Sequence, residues 1–377
     1  MARDRSVLSD FFIFDDRIQE CLPSLIQPMN KIYFSCIVLS LLTGAMNGQT
    51  DTVKAKVVDE QEAEKLYNIG IDNLNGKRTA EALSAFNKAI DIKPAFEKAY
   101  YNRGLTYLDM LLLKQAIGDF DKAIELNPNQ DIYFYSRGQA KTANSDNEGA
   151  LADYNKAIAL NPKNAEACYY RGVLKFQKEN YTEASADFTL AIEAKPDYAY
   201  AYNDRGSSKR MLNDLPGAIQ DYNKAIQTNP GLAFVYNNLG SVKKKNNDLR
   251  GAVEAYTTAL TMKPDYYIAF NNRGITKYEL GDFQGALDDF TKAISLKADY
   301  AFAFNNRAAA KYKQRDYKGS VEDCTKAIQL NNVYGYAYMN RGIAEEMLRN
   351  EKGCCSDMKK ASELGVDQAK NYLSECK

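Results

Sequence analysis

A 34-residue period constrains this chain more than any other feature. Pro94, Pro128, Pro162, Pro196, Pro230 and Pro264 keep it without a slip. Between the prolines, Tyr202, Gly206, Ala218, Tyr222 and Ala225 recur one period earlier as Cys168, Gly172, Ala184, Phe188 and Ala191. One period later they are Tyr236, Gly240, Ala252, Tyr256 and Ala259. Each unit holds two helical stretches, as in 199–212 and 216–228, joined by the polar turn Asn213-Asp214. Small residues sit where two helices must approach closely, and the proline ends the second helix. No single unit buries its apolar stripe alone, so the period implies a stack of repeats with a continuous core.

The spacing and the aromatic-Gly-Ala-aromatic-Pro order resemble the tetratricopeptide repeat family. The resemblance covers residues 63–366 as nine units. It implies an all-α, right-handed superhelical solenoid of helix-turn-helix repeats. Units one to three carry Gly70, Ala82, Phe86 and Ala89; Gly104, Ala116, Phe120 and Ala123; and Gly138, Ala150, Tyr154 and Ala157. Unit seven has Ala298 in place of proline, and unit eight has Ala308, Ser320, Cys324 and Asn332 at marker positions, so looser turns are expected there. Residues 367–377 are expected to form one capping helix.

The segment before the array divides in three. Residues 1–28 have no usable periodicity and read as a mis-annotated leader, with translation starting at Met29. Residues 29–48 place one lysine, the apolar run from Ile32 to Leu42 and then small residues in the order of a secretory signal peptide, too short to span a bilayer. Cleavage after Ala45 or Gly48 is expected; the competing reading is an apolar helix on a cytoplasmic protein. Residues 49–62 are polar and expected to be a flexible lead-in.

Composition narrows the function. The 49 basic and 49 acidic residues cancel, so no bulk field suits nucleic acid or a membrane surface. Histidine and tryptophan are absent. Without histidine there is no Ser-His or Cys-His pair and no imidazole metal ligand. No Gly-rich phosphate loop appears, and the array leaves no room for a catalytic domain. No enzyme activity and no cofactor are expected.

Two signals repeat inside the units. Counting each unit from its first helical residue, position seven is Arg103, Arg137, Arg171, Arg205, Arg273, Arg307 and Arg341. Position 23 in the same seven units is Asp119, Asp153, Asp187, Asp221, Asp289, Asp323 and Asp357. In the other two units both change together, to Ile69 with Ala85 and to Leu239 with Ala255. Helical geometry puts position seven on the inward face. The partnering predicts ion pairs within each unit, with an anion-binding arginine ladder as the rival reading.

The second signal lies on the opposite face of the first helix. Position five runs Tyr67, Tyr101, Tyr135, Tyr169, Asn203, Asn237, Asn271, Asn305 and Met339. Position six runs Asn68, Asn102, Ser136, Tyr170, Asp204, Asn238, Asn272, Asn306 and Asn340. From unit five onward position two turns apolar: Tyr200, Phe234, Ile268, Phe302 and Tyr336. Asparagine is a poor residue in mid-helix, so its repetition there points to use. In the resembled family this stripe lines the concave surface, where position-six asparagines bind an extended peptide backbone. Duplicated inheritance, with the position-two residues packing between units, is the alternative.

Of seven cysteines, Cys21 and Cys36 precede the expected mature chain, and Cys168 and Cys324 occupy core positions. Cys355 lies ahead of the turn at Gly365 and Cys376 an equivalent distance beyond it, so antiparallel helices would pair them as a disulfide. That pairing is consistent with an oxidising compartment. Zinc is the rival for a cysteine cluster, but three cysteines without histidine make a poor tetrahedral set. The expected function is a non-enzymatic scaffold, exported to a bacterial-type cell envelope, that holds a protein or peptide partner in its groove. The alternative is an accessory protein of an envelope enzyme system that binds glycan or cell-wall fragments.

Overall fold

The computed structural model describes residues 50–373 and residue 376. The expected leader (1–28) and signal segment (29–48), with Cys21 and Cys36, lie outside the described residues. Within the described residues nine helix pairs follow one another and no strand occurs. They are α1 (Thr50–Asn75) with α2 (Thr79–Ile92), α3 (Glu97–Asp109) with α4 (Leu113–Leu126), and α5 (Asp131–Ala143) with α6 (Asn147–Leu160). Then come α7 (Ala165–Gln177) with α8 (Tyr181–Ala194), α9 (Ala199–Met211) with α10 (Leu215–Thr228), and α11 (Ala233–Lys245) with α12 (Leu249–Met262). The last three pairs are α13 (Tyr267–Glu279) with α14 (Phe283–Leu296), α15 (Ala301–Lys313) with α16 (Tyr317–Leu330), and α17 (Gly335–Met347) with α18 (Glu351–Glu363). The array divides into two compact units, which among the described residues are 50–201 and 202–376.

Each unit builds its core from the same small and aromatic face. In the first, Ala150, Tyr154 and Ala157 of α6 are fully buried, and in the second so are Ala286, Phe290 and Ala293 of α14. Burying such an aromatic side chain contributes roughly 1.5–3 kcal/mol. The glycine of the first helix makes room for it: at Gly274 a Cβ would lie 2.7 Å from Phe290. Several second helices start on an aspartate cap. Asp214, Asp248, Asp282 and Asp316 each accept the backbone N–H three residues on, at 2.9–3.0 Å.

Three expectations need correction. Residues 50–62 are helical, because nothing in that polar stretch breaks a helix; it holds neither glycine nor proline. The turns that lack proline are not looser. Lys297 N–H bonds Ala293 C=O at 2.9 Å and Asn331 N–H bonds Ala327 C=O at 2.9 Å, as Lys263 N–H bonds Ala259 C=O at 2.9 Å in a unit with proline. The carbonyl pairing that ends the helix does not depend on the ring. The cap is not one helix either: a 3-10 turn (Asp367–Ala369) leads into α19 (Lys370–Leu373), a single α-turn. No helix among the described residues is long and apolar enough to cross a membrane.

Candidate functional site

Every arginine at position seven forms a fork. Nε and Nη2 donate to the two oxygens of the position-23 aspartate at 2.5–2.9 Å in all seven units. For Arg103, Arg137, Arg171, Arg273, Arg307 and Arg341 the third nitrogen reaches back to position 25 of the preceding repeat. Arg103 Nη1 donates to Asn87 at 2.7 Å, Arg171 to Asn155 at 2.8 Å, Arg273 to Thr257 at 3.0 Å and Arg341 to Thr325 at 3.1 Å. The ring at position four lies against the guanidinium, with centroids 5.3–5.6 Å away for Arg103, Arg137, Arg205, Arg273, Arg307 and Arg341. Hydrogen bonding to Asp119 raises the pKa of Arg103, and Asp357 does the same for Arg341. One side chain thus fastens both helices of its repeat to the one before.

In five of the seven units a lysine four residues on completes this arrangement, and the sequence reading missed it. Lys141, Lys175, Lys209, Lys277 and Lys311 place Nζ 2.8–2.9 Å from the same aspartates. Position 11 hid its role because it does not change with the pair. Lys243 persists where Leu239 and Ala255 replace arginine and aspartate, and its nearest carboxylate is Asp248 at 3.7 Å.

The asparagine stripe lies elsewhere than expected. Asn237, Asn271, Asn305, Asn306 and Asn340 have no exposed surface, and Asn238 and Asn272 have almost none. Their amides bond one another across repeats. Asn238 Nδ2 donates to Asn203 Oδ1 at 3.0 Å, Asn272 to Asn237 at 3.2 Å, Asn306 to Asn271 at 3.0 Å and Asn340 to Asn305 at 2.8 Å. Position six therefore donates to position five of the repeat before, and these seven residues do not present free amides on an open groove. The helical wheel gives a side chain's direction, but not the neighbouring first helix that covers it. Asn68 is exposed and outside this ladder. Asn102 is half-buried, donating to Tyr67 Oη at 3.1 Å and Lys98 C=O at 2.9 Å.

Two consecutive residues of the ladder, Asn271 and Asn272, keep an unmade amide atom each. Asn271 Nδ2 and Asn272 Oδ1 are buried without a hydrogen-bond partner among the described residues. Of the position-two residues, Tyr200, Phe234, Phe302 and Tyr336 are half-buried. Phe302 packs edge-on against Tyr334, with ring centroids 5.2 Å apart, so part of this row does pack between repeats. At the far end, Cys355 and Cys376 are joined in a disulfide, their Cα atoms 5.6 Å apart.

Sequence profiles for this architecture match along most of the array. Tetratricopeptide repeat profiles match residues 97–130, 169–233 and 237–301, and a TPR repeat profile matches 138–178. Together they cover just over half of the 377 residues. The chain belongs to the tetratricopeptide repeat family. Solved structures agree on the tetratricopeptide repeat fold. The Cut9–Hcn1 hetero-tetramer of APC/C aligns at TM-score 0.53 and 14% identity, over 83% of this chain and 76% of that one. A tetratricopeptide repeat protein from Parabacteroides merdae aligns at TM-score 0.50 and 21% identity, over 66% of this chain and 99% of that one. YrrB, a TPR protein described with an unusual peptide-binding site, is 26% identical over 49% of this chain and 95% of its own, at TM-score 0.44. Among curated proteins no sequence match is found.

Proposed function

We propose that this repeat protein is a non-enzymatic scaffold that holds a protein or an extended peptide on the first-helix face of residues 202–376. Membership of the tetratricopeptide repeat family supports the class of partner. The observation that carries the finer reading is the open donor and acceptor on consecutive residues, Asn271 Nδ2 and Asn272 Oδ1. Leaving such groups buried and unmade costs about 1–3 kcal/mol each. A peptide backbone carries the C=O and the N–H that would complete both, and admitting it requires the first helices around the fully buried Asn271 to part. Phe234 and Phe302 flank them as half-buried apolar contacts.

A photo-crosslinking residue at Phe302 in native cells, followed by mass spectrometry, tests this reading. We expect one dominant crosslinked polypeptide. A partner captured from the opposite helical surface but never from Phe302 would overturn it, and capture of glycan in its place would favour the envelope-accessory alternative.

Export to the cell envelope is part of the same proposal, supported by the signal-like residues 29–48 and the Cys355–Cys376 disulfide. N-terminal sequencing of the native protein should find Met46 or Gln49 first. An intact Met1 would refute export.

A further inference from the structure

The helix pair α17 and α18 is followed by a short C-terminal segment, a 3-10 turn and α19. Its apolar end, formed by Ile343, Cys354, Met358 and Ala361, is closed by Val366 and Ala369 from the C-terminal segment. That segment sits close: at Gly335 a Cβ would lie 2.6 Å from Val366 Cγ2. Its described residues form one 3-10 turn and one α-turn. A helix that short does not persist unaided, since isolated helices need on the order of 12–15 residues. The ion pair of Lys370 with Asp367 is exposed and adds little. The covalent tie is the disulfide, which joins residues 21 apart in sequence and so restricts the freedom of the segment once it leaves the surface.

The cysteines at this end differ in access. Cys355 and Cys376 are half-exposed and within reach of an external thiol. Cys354, one residue away, points into the core and is 7% exposed.

We infer that the Cys355–Cys376 disulfide is a redox latch that keeps the apolar end of the last repeat covered, and that its reduction by a dithiol lifts the cap and uncovers Cys354. One thiolate of the dithiol attacks a sulfur of the disulfide and forms a mixed disulfide. The second thiolate resolves it, so the dithiol leaves oxidised. Two electrons and two protons end on Cys355 and Cys376 as thiols. The reduced form then presents apolar surface and a third thiol that the oxidised form hides.

Alkylation rates read the latch directly, because Cys168 and Cys324 are fully buried and serve as internal standards. In the full chain carrying Cys355→Ser with Cys376→Ser, we expect Cys354 to react with iodoacetamide at least tenfold faster than in the oxidised wild type. Cys168 and Cys324 should stay at their wild-type rates. Hydrogen exchange should show residues 366–373 losing protection on dithiothreitol treatment of the wild type. Unchanged protection of Cys354 and of residues 366–373 would overturn the latch. So would equal acceleration of all three buried cysteines, which would mean that the array unfolds as a whole.

Discussion

Residues 50–201 and 202–376 use one register for two different chemistries. In both, position six of a repeat meets position five of the repeat before it. In the first region that contact rests on tyrosine. Asn102 donates to Tyr67 Oη, Tyr101 Oη and Ser136 Oγ share a hydrogen bond at 3.3 Å, and the rings of Tyr135 and Tyr170 lie 6.0 Å apart. In the second it is an amide ladder, with Asn237, Asn271, Asn305, Asn306 and Asn340 fully buried. A contact between tilted rings tolerates small displacements, because dispersion is spread over many atoms. A buried amide ladder does not, because each lost partner leaves a desolvated polar atom behind. The second region should therefore be the more rigidly registered, and the more sensitive to single substitutions at these two positions.

The arginine fork is common to both regions and gives the baseline. Asp289→Ala removes the partner of Arg273 and of Lys277 together, and we expect a loss of about 2–4 kcal/mol in local stability. Asp187→Ala, which takes the shared carboxylate from Arg171 and Lys175 in the first region, should cost about the same. The double change Arg273→Leu with Asp289→Ala reproduces the Leu239 and Ala255 arrangement and should recover much of the loss. Hydrogen exchange resolved by helix measures all three, since a repeat array need not unfold in one step. Unequal losses in the two regions would mean that they differ in more than positions five and six.

Next in size are the ladder residues. Asn272→Ala should cost about 1–3 kcal/mol, because it removes a buried hydrogen bond to Asn237 Oδ1, and the better helix propensity of alanine offsets only about 0.5 kcal/mol of that. Asn102→Ala, in a half-buried setting, should cost no more than about 1 kcal/mol. If the two cost the same, burial is not what separates the regions.

A comparably small effect is expected at the tyrosines. Tyr101→Phe keeps the ring and loses only the bond to Ser136, about 0.5–1.5 kcal/mol. Burial pushes the Tyr101 phenol up to about 12. Its contribution is therefore fully present below about pH 10, the ordinary tyrosine value, and is lost as pH rises through about 12. Ultraviolet titration of wild type against Tyr101→Phe should show the missing late ionisation.

What is legible in the sequence follows from what a single chain can display. The helix pairs are readable because the proline period and the Gly-Ala-aromatic spacing are local. The forks are readable because arginine and aspartate disappear together: Leu239 and Ala255 stand at positions seven and 23 of one unit, Ile69 and Ala85 at those of another. A contact is thereby written twice. The third arm of the fork is not readable, since Asn87, Asp121, Asn155 and Thr257 share only the ability to accept a hydrogen bond. The wheel gives the direction of the asparagine stripe correctly and its exposure wrongly. A wheel drawn for one helix contains no second helix to bury it, and burial here comes from the next repeat.

A double-mutant cycle on Asn237 and Asn272 tests the central claim, that these amides bind each other across repeats. Asn237→Ala, Asn272→Ala and the double variant would be compared by hydrogen exchange in α11 and α13. The account predicts that the double variant loses at least about 1 kcal/mol less than the sum of the single losses. Losses that add to within about 0.3 kcal/mol would contradict it.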